Sequence, residues 1–390
     1  MINLRPKNII IHNPTESVSP IIGRVTRNPN LPTSVRDNYI FLSSDDGDLP
    51  TGFSSYLINQ NHESHVNLKN IIPISKEYSY IDEGDIIKIN THDHSIRVIY
   101  RASSPHNFFL VTEQCNSYCL MCSQPPRAVD DSFLIEEIIS AIPLIDRGAN
   151  EIGITGGEPT LLKDRFLQLL RQLNNHLPDT SIHVLTNGRN FENELLAQDL
   201  YHICHKDLML GIPLYSDLPN IHNYIVQAQN AYDQTIRGIL NLKKYFQKVE
   251  IRIVVLKQNH DRLPDLARFI TRNLTFVDQV VIMGLESTGF AKSNHNAVWI
   301  DPIEYQNQLL SAVKILTQSN IITKIYNHQL CVLPREIHQF STKSISDWKN
   351  YYLDICDKCD AKQACGGFFE TSKYISSHHI HPITLNSHAS

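Results

Sequence analysis

The sequence predicts an α/β protein: a partial (β/α)6 barrel with a small β domain before it and a cysteine-bearing extension after it. Three observations carry that prediction. From about residue 106, strand-like and helix-like patterns alternate, as they do in a parallel sheet curled around a common axis. Ahead of that point the apolar runs are short, of strand length, and separated by turn-forming stretches. Of the eight cysteines, none precedes Cys115, and seven fall into two groups at either end of the alternating region.

Residues 1–105 form the β-rich domain. Its strand candidates are Asn8–Ile11, Ile21–Val25 and Tyr39–Leu42, followed by the turn-rich stretch Ser43–Asp48. Gly84–Asn90 and Ser95–Tyr100 read as a hairpin, with His92 and His94 as polar residues of its turn. The barrel, 106–300, opens with the apolar run Asn107–Thr112, then helix Ser132–Ile145 and strand Glu151–Thr155. Helix 163–176, strand 181–186, helix 191–200, strand 207–212 and a longer helix over 230–246 follow. Strand Val249–Leu256, helix 261–273 and strand Gln279–Leu285 complete it. In such folds the active site lies at the carboxyl ends of the strands. Residues 301–375 hold a helix over 302–318 and the second cysteine group. Residues 376–390 are His-rich and poor in apolar side chains, the composition of a disordered tail. The letters show no internal repeat.

With 390 residues and 42% hydrophobic content, the chain can bury a large core. A net charge of −5 argues against a strongly basic nucleic-acid binder. No apolar run approaches the roughly 18 residues of a membrane span, and the first residues lack a signal-peptide pattern. A cytoplasmic protein is expected, and in one, clustered cysteines point to bound metal rather than to disulfides.

Cys115, Cys119 and Cys122 directly follow a strand, at spacings of four and three. Three thiolates so placed can grip three irons of a cubane and leave the fourth open to a ligand, unlike the four-cysteine clusters of electron carriers. Structural zinc is the alternative, but it wants four ligands. The next strand ends in Gly156-Gly157-Glu158-Pro159, where glycines allow close backbone approach and Glu158 can accept a hydrogen bond from an ammonium group.

Cys-x3-Cys-x2-Cys followed by Gly-Gly-Glu-Pro resembles the radical S-adenosylmethionine (SAM) superfamily. The resemblance implies a partial barrel holding a [4Fe-4S] cluster that binds SAM and cleaves it to a 5′-deoxyadenosyl radical. It also implies that Gly156, Gly157 and Glu158 hold the SAM ammonium, and that Met121 packs on the adenine where relatives carry an aromatic residue. Asn187 would line the ribose side, Arg252 would face the SAM carboxylate, and Gly284 would lie at the adenine side. An Asn-Gly turn and an ordinary ion pair are the plain readings of Asn187 and Arg252.

Cys331, Cys356, Cys359 and Cys365 can close either a tetrahedral zinc site or a second cubane. Their arrangement resembles the auxiliary-cluster domains of peptide-modifying radical SAM enzymes, which favours a second [4Fe-4S] cluster. Within the superfamily, the C-type radical SAM maturases of His-Xaa-Ser repeat systems are the most similar. Leu110–Cys115, Cys122–Pro126, Val280–Glu286, Thr288-Gly289, Ser344–Trp348 and Cys365–Phe369 carry that likeness. It implies a ribosomally made substrate with His-Xaa-Ser repeats, a second radical SAM maturase as partner, and an electron donor such as flavodoxin or ferredoxin. The N-terminal β domain would then either pair an exposed strand edge with a leader peptide or merely cover the barrel's open side. Glu113, Gln114 and Arg127 flank the cysteine loop and could meet substrate. The alternatives are a radical SAM step in metal-cofactor biosynthesis and a non-catalytic iron–sulfur sensor or scaffold.

Overall fold

The computed structural model describes residues 9–15, 20–43, 48–59, 68–75, 78–343, 350–369 and 376–384. Alternating apolar residues build its first sheet. Strands β1 (Ile21–Thr26), β2 (Tyr39–Leu42), β3 (Ser55–Asn59) and β4 (Ile71–Ile74) lie parallel, and antiparallel β5 (Ile86–Asn90) and β6 (Ser95–Tyr100) complete the order β4-β3-β2-β1-β5-β6. The register steps fifteen residues at each parallel pair, from Val25 to Ile40 to Ser55, and again from Tyr56 to Ile71. The chain thus repeats in space without repeating in letters. Ile40, Leu42, Leu57 and Ile72 fill one face. Phe41, Tyr56 and Ile71 fill the other, where Leu49 and Phe53 of the crossovers cover them. The sequence reading missed β3 and β4. The expected strand at Asn8–Ile11 is also absent from the described part: Ile9 and Ile11 are buried, but only His12 makes a β-bridge, to Ile71. Asn8 and residues 44–47 of the expected turn lie outside the described residues. His94 takes a positive φ in the β5–β6 turn and its ring faces the Ile9 carbonyl, a turn role as expected.

The second sheet is the barrel. Strands β7 (His106–Leu110), β8 (Glu151–Thr155), β9 (Ser181–Leu185), β10 (Leu208–Pro213), β11 (Lys248–Val254), β12 (Gln279–Met283) and β13 (Ile322–Tyr326) pair in parallel, in chain order. Six units were expected, and among the described residues the sheet has seven strands because β13 extends it beyond residue 300. Helices α1 (Phe133–Ala141), α2 (Asp164–His176), α3 (Glu194–Ile203), α4 (Pro219–Val226), α5 (Ala231–Lys244), α6 (Leu263–Asn273), α7 (Gly289–Ser293), α8 (His295–Val298) and α9 (Gln306–Gln318) occupy the connections. α6 shows why they form: Leu263, Leu266, Ala267 and Ile270 recur at helical spacing and are the residues it buries. Side chains alternate across each strand. Ile154, Val184, Ile212, Ile253 and Ile282 join the helix-side core. His183, Glu250, Arg252 and Gln279 face a polar cavity of about 400 Å³ toward the amino ends of the strands.

The two sheets are docked rather than tethered. Ile86, Ile99 and Tyr100 belong to the barrel's core cluster, and buried Glu137 on α1 accepts hydrogen bonds from Lys88 of β5 and from Arg97 of β6, the latter at 2.8 Å. Beyond α9, β14 (Asn350–Tyr351) and β15 (Phe368–Phe369) form a small antiparallel pair. Of the disordered tail expected at 376–390, residues 385–390 lie outside the described residues, whereas in 376–384 Ser377 and Ile383 are buried and Ile383 joins the main core cluster. A few well-placed apolar contacts outweigh the polar average of the segment. No described helix is long and apolar enough to cross a membrane.

Candidate metal and cofactor site

The first cysteine group sits where the parallel sheet delivers its loops, at the carboxyl end of β7. Four later segments pin it. After β8, the N–H groups of Gly157 and Glu158 donate to the carbonyls of Thr112 and Gln114 at 2.9 and 2.8 Å. After β9, Asn187 donates its side-chain amide to Asn116 at 2.6 Å, and Arg189 binds the Asn116 carbonyl and the Ser117 hydroxyl. After β10, the last carbonyls of α4 accept from Tyr118 and Leu120 N–H. After β12, Phe290 N–H donates to the Cys122 carbonyl at 2.8 Å, and the Asn294 side chain donates to the Leu120 carbonyl, also at 2.8 Å. On the entering side, buried Asp131 collects the Thr112 hydroxyl and the Glu113 N–H.

This geometry changes the reading of Gly156 and Gly157. A Cβ on Gly157 would lie 2.2 Å from the Gln114 carbonyl oxygen and 2.9 Å from Cys115 Cβ, and one on Gly156 would lie 2.5 Å from the Thr112 carbonyl oxygen. The two glycines therefore let the β8 turn close against the cysteine loop itself. Glu158 points inward. Its side chain is fully buried, with Oε1 accepting from Thr160 N–H, Thr160 hydroxyl and Thr186 hydroxyl, and Oε2 accepting from Asn187 N–H at 2.6 Å. Burial raises its pKa against the pull of those donors. The Glu158 carboxylate is thus committed to protein donors and braces the turn from within.

The three thiols share one environment. Burial, reinforced by Glu158 and Cys122, pushes Cys115 up to about 11; burial, reinforced by Cys122 and Cys115, pushes Cys119 to about 12; and burial also raises Cys122. Met121 is buried among Tyr215, Ile225, Leu256 and Val298, so its side chain anchors the loop in protein. Tyr215, which sequence reasoning passed over, lies close enough to all three cysteines and to Arg252 for their charges to act on its hydroxyl. Arg189, Asn294 and Asp131 were also missed. Their partners lie far away in sequence, and no local pattern marks them.

Arg252 faces the barrel interior, paired with Glu250 at 2.5 Å and lying 3.2 Å from the Met283 sulfur. Although burial opposes it, the His183 hydrogen bond and the Arg252 charge hold Glu250 down to about 2. Gly284 borders a cavity with Val255 and Leu285 at the carboxyl ends of β11 and β12, and a Cβ there would lie 2.3 Å from the Asn327 carbonyl oxygen. That cavity extends to Gly366–Phe369 and Ser376-Ser377.

Cys331, Cys356, Cys359 and Cys365 line one adjoining cavity with Tyr352 and Lys362. The Leu330 and Gly367 N–H groups each point at Cys365 Sγ at 3.5 Å, and Ile383 N–H points at Cys359 Sγ at 3.3 Å. Burial raises Cys331 and Cys356, and the neighbouring thiols add to both shifts. Among the described residues, no three Cys, His, Asp or Glu side chains converge tightly enough to hold one metal ion. Six of the seven thiols are partly buried and Cys365 is buried, and soft sulfur donors suit iron–sulfur clusters or zinc. Cys204, the cysteine outside both groups, is exposed at the end of α3.

Residues 109–270 match the family model for the radical SAM superfamily. Among curated proteins, "Probable GTP 3′,8-cyclase" of Pyrococcus horikoshii is 29% identical over 190 residues, covering 47% of this chain and 58% of that protein. GTP 3′,8-cyclase of Haemophilus influenzae is 30% identical over 158 residues, 39% of this chain and 45% of that protein. The chain thus spans about half the length of the curated relatives it matches. Among solved structures, Streptococcus suis SuiB bound to precursor peptide SuiA aligns with TM-score 0.45 at 17% identity, over 57% of this chain and 48% of that one. Escherichia coli coproporphyrinogen III oxidase, a radical SAM enzyme, aligns with TM-score 0.44 at 14% identity, over 56% of this chain and 54% of that one. The stretch that matches the family model runs from strand β7 into helix α6.

Proposed function

We propose that the chain is a radical SAM enzyme that modifies a ribosomally made peptide or protein, with His-Xaa-Ser repeats as its substrate class. The observation that carries the enzyme reading is the convergence of four post-strand segments on one loop, which holds three partly buried thiols at the carboxyl mouth of the barrel. Cys115, Cys119 and Cys122 would ligate the cluster. The backbone of Gly156 and Gly157, with Asn187, Arg252, Gly284 and the Met121 backbone, would hold SAM. Bound there, cluster and SAM supply one-electron cleavage of SAM and hydrogen abstraction from a substrate. The protein's own part is to fix the loop, exclude water and present the substrate. Glu158 braces the turn from inside, and Glu250 holds Arg252 within the barrel interior.

A peptide reading is supported by the segments from Leu110–Cys115 to Cys365–Phe369 that resemble the His-Xaa-Ser maturases, and by a groove beside the barrel mouth. Ser95, Ile96 and Arg97 of edge strand β6 line a cavity of about 220 Å³ with Glu113 and Arg127, the residues that flank the cysteine loop. An extended peptide pairing with β6 would run toward that loop. The four later cysteines would hold a second [4Fe-4S] cluster, and a second radical SAM maturase and a flavodoxin- or ferredoxin-type donor would be partners in a cytoplasmic setting.

A second reading, a nucleotide-directed step in metal-cofactor biosynthesis, is favoured by the 29% identity to proteins named GTP 3′,8-cyclase. One experiment separates the two. The anaerobically reconstituted, reduced protein is given SAM with either a His-Xaa-Ser repeat peptide or GTP, and products are read by mass spectrometry. A mass change in the peptide alone supports the first reading. Conversion of GTP alone overturns it in favour of the second.

A further inference from the structure

The segment 376–384 carries three histidines and was expected to be solvated, yet it is laid across the second cysteine cavity. Ile380, His381 and Ile383 line that cavity. Ile383 N–H approaches Cys359 Sγ at 3.3 Å, and Asp360 N–H donates back to the Ile383 carbonyl at 3.0 Å, which fixes the strap to the Cys356–Cys359 turn. The His381 backbone lies close enough to Cys331 to act on its thiol. Ile383 is only 8% exposed and packs into the main core, so the strap is seated by apolar burial as well as by hydrogen bonds. Upstream, Ser376 and Ser377 wall the cavity at the carboxyl ends of β11 and β12.

We infer that residues 376–384 are a working part of the second metal site, a strap whose Ile383 backbone N–H holds the sulfur of Cys359 and whose side chains shut the site from water. The inference rests on the second cysteine group binding a metal or cluster, as proposed above. N–H donors stabilise negative charge on sulfur, and hydrogen bonds to sulfur and solvent exclusion set cluster potential. Loss of the strap should therefore loosen the bound group, and for iron–sulfur, loss of the N–H donor by itself should lower the reduction potential.

The test uses the full chain with Cys115, Cys119 and Cys122 replaced by Ala, so that only the second site can load. Metal and sulfide content are measured first. Chelator-driven release is then timed for the parent, for a chain ending at residue 375, and for two point variants. Ile383→Pro removes the N–H that meets Cys359, whereas Ile383→Ala keeps it and trims only the side chain. The expected result is several-fold faster release on truncation, and faster release for Ile383→Pro than for Ile383→Ala. With iron bound, a more negative midpoint potential is expected for Ile383→Pro than for Ile383→Ala. Unchanged release in the truncated chain, or equal behaviour of the two point variants, overturns the strap. Zinc in place of iron overturns the cluster reading while release rates still judge the strap. A parent that binds no metal overturns both through their common premise.

Discussion

Gly157 shows how little room the site leaves at the scale of one residue. An added methyl would meet the Gln114 carbonyl carbon at 2.6 Å and Cys115 Cβ at 2.9 Å, and both belong to the loop that bears the thiols. Gly157→Ala should cost about 1–3 kcal/mol of stability through overpacking and should lower the iron bound per chain; a variant that unfolds like the parent and loads iron fully would contradict this packing role. Two buried histidines set a pH dependence. Burial drops His222 and His328 from 6.5 to about 4. His222 Nδ1 accepts the Tyr215 N–H at 3.2 Å, and His328 Nε2 lies 2.8 Å from the Tyr305 hydroxyl. Both stay neutral when folded, while the unfolded chain takes up protons below about 6.5. Stability should therefore fall as pH drops from about 6.5 toward 4, by up to about 3 kcal/mol for each histidine. Thermal unfolding across that range measures it, and His328→Asn should flatten the dependence by its share. The same slope in parent and variant would exclude His328 as a contributor.

At the scale of elements, the cysteine loop is stable because segments after separate strands each satisfy part of its backbone, and α7 with the residue that caps its end contributes two of those contacts. Asn294→Ala should cost about 1 kcal/mol through loss of one side-chain hydrogen bond, and the apo loop should become more open to thiol-labelling reagents. Labelling at the parent rate would show that the remaining contacts suffice. The thiols themselves were legible in the sequence, since their spacing after a strand is local information. Asn294 was not, because its partner Leu120 lies 174 residues away. The role of Gly156 and Gly157 was half legible. Their need for close backbone approach was evident, but what approaches is the Thr112–Cys115 backbone. β3 and β4 escaped notice because Ser55–Asn59 and Ile71–Ile74 are short, and β4 contains Pro73. Their pairing is set by the fifteen-residue register of the sheet rather than by local pattern.

Across the whole molecule, Glu137 joins the N-terminal sheet to the barrel by facing Lys88 and Arg97 in a site where its own side chain is 6% exposed. Glu137→Ala leaves two partly buried cations without their partner and should cost about 3 kcal/mol or more. Denaturant unfolding should then show the N-terminal sheet separating before the barrel, whereas one unchanged transition would mean that the apolar contacts of Ile86, Ile99 and Tyr100 hold the two units alone. The barrel was legible from its alternation of strand and helix, but its seventh strand and the buried strap at 376–384 were not, since both depend on what lies beside them rather than on their own composition. The central claim, that the loop of Cys115, Cys119 and Cys122 holds a cluster that cleaves SAM, is tested most directly by 5′-deoxyadenosine formation in the anaerobically reconstituted, reduced protein. The expected result is 5′-deoxyadenosine from the parent and none from Cys119→Ala, with about four fewer irons bound per variant chain. An intact, reduced cluster in the parent that yields no 5′-deoxyadenosine, with or without peptide or GTP, would contradict it.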